Sequence, residues 1–323
     1  MDYVAFGNTG IKVSQLCYGT MSFGGDADEV ESGRLYAACR DAGINFFDTA
    51  NVYSQGRSEE ILGKLIKGER DNLIISTKGF GQMGGDINAK GSSRRNIALA
   101  IEQSLKRLGT DRVDVYFMHM WDPATPLEET LRALEKLVAD GKVLYIGASN
   151  YAAWQIAKGL GISAKHDWPR FDVLQPMYNL VKRQAETEIL PLAAAEKLAV
   201  MPYSPVGGGL LSGKYVGGAK PEGTRLTAMD MYAKRYGEDW VHQTAADYTA
   251  FCRERGLHPV SAAVAWVMRH PAITCPIIGA RNVDQLKASL DAVDVPMDAD
   301  LRAELAALSR EPAIATDRRE EAL

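Results

Sequence analysis

The sequence is poor in cysteine, in long apolar runs and in charge of one sign, and each shortage excludes a class of protein. Its four cysteines, Cys17, Cys39, Cys252 and Cys275, stand far apart without the spacing of metal ligands. They read as reduced, buried thiols of a cytoplasmic protein, with no metal site among them. No apolar run approaches the ~18 residues that a membrane-spanning helix needs. The opening, Met1-Asp2-Tyr3-Val4-Ala5-Phe6, has neither the basic nor the apolar region of a secretory signal. A net charge of −4, with both signs scattered, offers no face for nucleic acid or a membrane surface. What is there is 323 residues, 46% hydrophobic and 24% charged, enough for a large soluble core. The partner this composition leaves is a small molecule.

Taken in order, residues 2–13 place two short apolar pieces around Gly7-Asn8-Thr9-Gly10, the pattern of a hairpin. Apolar strand-like runs follow at 16–20, 44–48, 73–78, 113–118, 142–148, 171–175, 198–203 and 273–279. Between them lie segments of helical period, at 27–42, 58–67, 93–108, 126–139, 151–160 and 184–197. A long polar, glycine-containing stretch from 204 to about 239 precedes helical patterns at 240–255 and 260–269. Two more helices follow Asn282 and span 299–309, and the charged tail from Asp317 is expected to fray. Eight strands alternating with helices predict βαβ units and a parallel sheet, and eight is the count of a TIM barrel. An open doubly wound sheet is the alternative. No linker or break in composition interrupts the chain, so residues 1–323 read as one domain.

A barrel of this kind builds its site at the C-terminal ends of its strands. Those ends carry Asp48, Lys78, His119, Ser149-Asn150, Gln175, Tyr203-Ser204 and Arg281, with Tyr53 on the loop beyond Asp48. Singly, each has a plain explanation. Lys78 and Asp48 make a buried ion pair, His119 is a core histidine, and Asn150 caps the following helix. Gln175 is a strand-end amide, and Asn282 with Gln285 makes a capping-box-like start. Their shared placement favours a site.

The chemistry follows from the side chains. A phenol beside an ammonium is favoured as phenolate, so Tyr53 near Lys78 is expected to have a pKa lowered toward neutrality. Asp48 would fix the ammonium, and a neutral His119 would orient a carbonyl oxygen. Tyr53 then serves as general acid toward an oxygen gaining negative charge, or as base in reverse. No nucleophile or metal set accompanies these groups, which fits carbonyl reduction by a hydride donor.

Two motifs mislead. Gly79-Phe80-Gly81-Gln82-Met83-Gly84 matches G-x-G-x-x-G, but more glycines intervene before the next helix, whereas the dinucleotide fingerprint opens its helix at once. We read it as a flexible substrate loop. Tyr178 and Lys182 have the Tyr-x-x-x-Lys spacing of short-chain dehydrogenases, but Lys165 stands where the accompanying serine belongs.

Phe47-Asp48-Thr49-Ala50 with Tyr53, Lys78, His119, Gly147-Ala148-Ser149-Asn150, Pro202-Tyr203-Ser204-Pro205, Leu211-Ser212-Gly213-Lys214-Tyr215 and Ile278-Gly279-Ala280-Arg281 with Gln285 occur in this order. Together they resemble aldo-keto reductases over essentially the whole chain. They are closer to bacterial members and potassium-channel beta subunits than to the aldose-reductase branch. The resemblance implies a (β/α)8 barrel with a catalytic tetrad at Asp48, Tyr53, Lys78 and His119. It also implies an extended NADPH or NADP+, with NADH as the alternative. Ser149, Asn150 and Gln175 would hold the nicotinamide carboxamide, and Tyr203 would stack on the ring. Ser204, Pro205, Val206 and Gly208 with Lys214 would line the pyrophosphate, and Arg225 would reach the same cofactor. Gly19, Thr20 and Met21 would approach it from the first barrel strand, beside Asp48. Arg281, near Gly279, Gln285 and Ser289, would meet the adenosine 2′-phosphate, which suits a guanidinium fork. Ala288 and Ser289 depart from the Glu and Asn that relatives often set against adenine. Met21, Phe23 and Trp121 would wall a carbonyl held by Tyr53 and His119. The same groups serve alcohol or sugar oxidation, and channel beta subunits keep them as cofactor-sensing modules. A hydrolase or lyase on the same barrel would need a metal-ligand set that the sequence lacks.

Overall fold

A computed structural model describes residues 1–219 and 221–316; the tail from Asp317, expected to fray, lies outside the described residues. Strands β1 (Tyr3–Ala5) and β2 (Lys12–Ser14) pair antiparallel as the expected hairpin. The chain continues through β3 (Cys17–Gly19), α1 (Glu29–Asp41), β4 (Phe46–Asp48), α2 (Arg57–Ile66), β5 (Ile74–Gly79) and α3 (Arg94–Leu108). Next come β6 (Val113–Met118), α4 (Leu127–Ala139), β7 (Val143–Ser149), α5 (Ala153–His166), β8 (Phe171–Gln175) and α6 (Ile189–Glu196). After β9 (Ala199–Val200), an insertion carries the short α7 (Arg225–Ala228) and α8 (Asp230–Arg235), then α9 (Asp239–Glu254) and α10 (Pro259–Met268). β10 (Ile277–Ile278), α11 (Val283–Leu290) and α12 (Ala299–Ala307) complete the order.

Strands β3 to β10 form one parallel sheet in the order β10-β3-β4-β5-β6-β7-β8-β9. Its two ends also meet: the Ile277 N–H donates to the Pro202 carbonyl at 2.9 Å, and Tyr203 bridges Ile277 in parallel. The sheet therefore closes into a (β/α)8 barrel.

Strand parity decides what points inward, because successive side chains leave opposite faces. Phe46, Val115, Phe117, Val173, Ala199, Met201, Cys17, Cys275 and Ile277 share one buried cluster, the barrel interior. Phe6 and Val13 of the hairpin region belong to it too, and Phe6 meets Phe46 edge-on at 5.5 Å, so the hairpin plugs the floor. Their strand neighbours Tyr18, Phe47, Tyr116, Met118, Leu174 and Val200 face the helices instead. Counting by twos up each strand carries the inward face to Gly19, Asp48, Lys78, His119, Ser149, Gln175 and Tyr203.

Several elements differ from the sequence expectation. α5 runs on to His166, because Gly159 packs against Phe171 with no room for a Cβ and the turn comes only at Asp167, φ +55°. The segment 184–197 breaks into a 3-10 turn and α6, because Pro191 offers no N–H and its ring would meet the carbonyl of Thr187 in a continuous helix. β9 and β10 are only two residues each, interrupted by Pro202 and Pro276, which cannot donate to the ladder. The stretch from 204 holds the two short helices α7 and α8.

Candidate active site

Asp48 ends β4 with its carboxylate fully engaged. Oδ2 takes the Lys78 ammonium at 2.6 Å, while Oδ1 accepts from the Ser76 hydroxyl at 2.7 Å and the Gln175 amide at 3.1 Å. Lys78 is fully buried, and its Nζ also donates to the Thr49 carbonyl at 2.6 Å and to the Tyr53 hydroxyl at 3.3 Å. The ammonium lies 4.9 Å from the Tyr53 ring centroid, and His119 meets that ring edge-on at 6.0 Å. The four groups thus converge at the mouth of the barrel.

Burial would push the Lys78 pKa down, but Asp48 and then Tyr53 reverse this and hold it above the ordinary lysine value. His119 is pushed down to about 3, first by burial and then by Lys78, so it is neutral at physiological pH. Tyr53 corrects the sequence expectation. Burial raises its pKa more than Lys78 lowers it, with Asp48 adding to the rise, so the phenol stays protonated.

Tyr53 is presented by an unusual turn. Ser54 (φ +47°), Gln55 (φ +56°) and Gly56 (φ +92°) are three successive left-handed residues. Such a backbone costs about 1–2 kcal/mol at each non-glycine position. Behind the turn, the Ser58 hydroxyl donates to the Thr20 carbonyl and meets the hydroxyls of Thr20 and Thr49 at 2.8 and 3.0 Å.

A chain of hydrogen bonds leads from Asp48 to the far side of the mouth. Ser149 donates to the Gln175 carbonyl at 2.9 Å, and the Asn150 amide donates to Ser149 and to the His119 carbonyl. The Tyr203 hydroxyl donates to Asn150 at 2.7 Å. Asn150 sits at φ +58° and α5 is capped at Ala152, so capping is not its part here. Tyr203 is pushed up to about 12 by burial.

Beyond Tyr203 the chain turns tightly. Ser204 and Gly207–Gly208–Gly209 have φ of +60°, +61°, +67° and +96°, and the Gly207 and Gly209 N–H groups donate to the carbonyls of Ser204 and Val206. A Cβ on Gly209 would stand 2.9 Å from the Lys214 ammonium, so that charge lies against the glycine turn. The Lys214 pKa is lowered, chiefly by burial and then by Arg281 and Arg225, which places three cations in one field. Pro205 is buried and Val206 is partly exposed. Arg281 ion-pairs with Asp26 at 3.0 Å and donates to the Gly223 carbonyl at 2.6 Å. Gln285 accepts from the Arg281 N–H rather than from that of Asn282, so the capping box closes one residue early. Gly279 is exposed and Ser289 is buried within α11. The cations fit a dinucleotide's phosphates.

Of the residues expected to wall a carbonyl, Met21 and Trp121 are partly exposed, whereas Phe23 is fully buried against Tyr18 at 5.8 Å. Sequence reasoning missed three residues. Ser76 shares the inward parity of Asp48 and Lys78, a signal that was available. Trp154, 60% exposed in the first turn of α5, meets Trp121 edge-on at 5.8 Å. Tyr232 of α8 lies against Gly208 and within electrostatic range of both Tyr53 and Tyr203, a placement no local pattern signals. The Gly-rich loop after β5 is closed by its own bonds, Gly91 to Phe80 and Met83 to Ala89, and tied to α3 through Arg95 and Asp86. Tyr178 is structural, bonded to Glu186 and Arg302. Among the described residues no cluster of His, Cys, Asp and Glu could hold a metal ion, and no helix is long and apolar enough to cross a membrane.

Comparison with known proteins agrees with this geometry. A sequence model described as "Aldo/keto reductase family" matches residues 15–310. The chain is 38% identical over 313 residues to the "Uncharacterized oxidoreductase YrpG" of Bacillus subtilis, covering 93% of this chain and 94% of the relative. It is 38% identical over 303 residues to a "Probable voltage-gated potassium channel subunit beta" of Arabidopsis thaliana, covering 91% and 92%. It is 34% identical over 303 residues to the "Norsolorinic acid reductase stcV" of Emericella nidulans, covering 89% and 76%. With its closed barrel and the match across nearly its whole length, the chain belongs to the aldo/keto reductase family and is an oxidoreductase.

Proposed function

We propose that this single-domain barrel reduces an aldehyde or ketone to an alcohol with NADPH. The observation that carries the reading is the buried Lys78 ammonium, which holds Asp48 on one side and the Tyr53 hydroxyl on the other at the barrel mouth. NADPH would supply a hydride to the carbonyl carbon, and the residues here do the rest. Tyr53, kept protonated by burial, gives its proton to the oxygen as negative charge develops there. Neutral His119 orients that oxygen. Lys78 stabilises the phenolate left behind, and Asp48, held by Ser76 and Gln175, fixes Lys78. Ser149, Asn150 and Gln175 would hold the carboxamide, Tyr203 the ring, and the loop 204–208 with Lys214 and Arg225 the pyrophosphate.

Titrating the purified protein with NADPH and NADH, then offering a panel of aldehydes and ketones, tests the reading. Tight NADPH binding with carbonyl-dependent oxidation supports it. Binding without turnover of any carbonyl would instead favour a cofactor-sensing role, the reading that the channel-subunit name of the Arabidopsis relative brings, and absence of binding would sink both. Arg281→Ala is expected to weaken NADPH about 10–100-fold, the worth of a charge-assisted hydrogen bond, with little change for NADH. Equal losses for both would show that Arg281 does not meet the 2′-phosphate.

The substrate wall is aromatic. Trp121, two residues beyond His119, is flanked edge-on by Tyr151 at 5.3 Å and by the exposed Trp154. Such a wall suits a carbonyl on a flat apolar body. Trp154→Ala should raise KM for aromatic ketones about 3–10-fold, in keeping with the worth of one aromatic contact, and leave small aliphatic aldehydes unaffected. A uniform change across both classes would remove Trp154 from the pocket.

A further inference from the structure

We propose that Glu59 and Arg107, outside the tetrad, are positioning residues that hold Tyr53 at reacting distance from Lys78. The inference rests on the reading of Tyr53 as the acid. Three successive left-handed residues after Tyr53 form a turn that persists only if its surroundings enforce it. On the side toward β4, the Tyr53 N–H donates to the Ala50 carbonyl and the Asn51 N–H to the Lys78 carbonyl, which anchors the entry to the turn. The exit is anchored by Glu59. Its side chain is wholly buried in the first turn of α2, three residues past Gly56.

That carboxylate has two partners. Oε1 accepts from the Thr77 hydroxyl at 2.6 Å, and Oε2 accepts from the Arg107 guanidinium at 2.6 Å. Thr77 is the strand neighbour of Lys78 and points to the opposite face, so Glu59 ties the helix behind Tyr53 to the strand that carries the lysine. Arg107, near the end of α3, does more than neutralise the charge. A Cβ on Gly56 would stand 2.7 Å from Arg107 Cδ and 2.9 Å from its Nε, so the arginine stem fills the hollow of the left-handed turn. On the other side of Lys78, a Cβ on Gly79 would stand 2.1 Å from the Tyr116 hydroxyl, so β6 packs close against β5 where only a glycine fits. One buried ion pair thus fixes the relative position of the phenol that gives up its proton and the ammonium that stabilises the phenolate, without touching substrate.

The test compares Glu59→Gln/Arg107→Met, which removes both charges and leaves neither buried alone, with Arg107→Lys and Tyr53→Phe. Reduction of 4-nitrobenzaldehyde by NADPH is measured, together with NADPH affinity. The ionisation midpoint of Tyr53 is read by carbon-13 NMR of labelled tyrosine, with Tyr53→Phe assigning the resonance. We expect the double variant to bind NADPH within twofold of the parent, to lose at least tenfold in kcat with little change in KM, and to shift the Tyr53 midpoint by about half a unit or more. Arg107→Lys should recover most of the kcat. An unmoved midpoint with kcat within threefold of the parent overturns the proposal. Should the double variant fail to fold, Arg107→Lys decides alone: we expect a two- to fivefold loss in kcat and a displaced midpoint, and parental values for both overturn it. If Tyr53→Phe itself keeps full activity, the acid assignment fails, and the midpoint then judges the positioning separately.

Discussion

Tyr53→Phe is expected to lower kcat for carbonyl reduction by about 10²–10⁴-fold, the worth of a well-placed general acid, while NADPH affinity changes by less than twofold. The substitution removes one oxygen and little else. The ring keeps its contact with the Lys78 ammonium at 4.9 Å and its edge-on approach to His119 at 6.0 Å. Lys78 keeps Asp48 and the Thr49 carbonyl, so the buried charge remains paired. What is lost is the only proton the tetrad can give cheaply, since His119, held down to about 3, has none to spare at neutral pH. The pH profile should carry the same signature. Because the Tyr53 pKa is raised, the acid form persists, and kcat for reduction should stay level through neutrality and fall only above about 10, the ordinary phenol value. Oxidation of an alcohol, which needs the phenolate, should rise over that same range. An inflection near pH 6.5 would show His119 titrating, and activity within tenfold of the parent in Tyr53→Phe would end the assignment of the acid.

Much of this site was legible in the sequence because a parallel strand obeys a period of two. Asp48, Lys78, His119, Ser149 and Gln175 each close an apolar run, and their parity with Phe46, Ile74, Phe117, Tyr145 and Val173 places them inward. Ser76 obeys the same rule and was within reach of it. The helices were legible for similar reasons, with Gly109 ending α3 at φ +63° and Asn282 capping α11. What could not be read depended on contacts between distant segments. Tyr232 reaches the mouth only because the insertion after β9 folds back over Gly208. Phe23 was expected to wall the pocket with Met21 and Trp121, but the turn at Thr20 sends it into the core beside Tyr18. The Tyr53 pKa was misjudged for the same kind of reason. A neighbouring ammonium is visible in sequence, whereas the degree to which a hydroxyl is buried is not, and here burial outweighs the neighbour.

Removing the ammonium should do damage of two kinds, and they can be separated. Lys78→Met leaves the Asp48 carboxylate in a site where it is almost fully buried, and breaking such a pair from one side typically costs about 3–5 kcal/mol. The hydroxyl of Ser76 and the amide of Gln175 still donate to Oδ1, which should keep the loss toward the lower end of that range. In the parent the sign with pH is fixed by the raised Lys78 pKa: the pair's stabilisation is fully present below the unfolded lysine value of about 10.4 and is lost as pH climbs through the higher folded one. Adding Asp48→Asn to Lys78→Met removes the stranded charge, and the amide oxygen can still accept from Ser76. The double variant should therefore recover most of the lost stability in urea unfolding, yet remain as inactive as Lys78→Met, because nothing is left to hold the Tyr53 phenolate. Recovery of activity with stability would mean that the ion pair serves only to fold the barrel mouth. Recovery of stability alone would mean that a neutral pair suffices for the fold, and that the charges stand at the strand ends for the proton transfer.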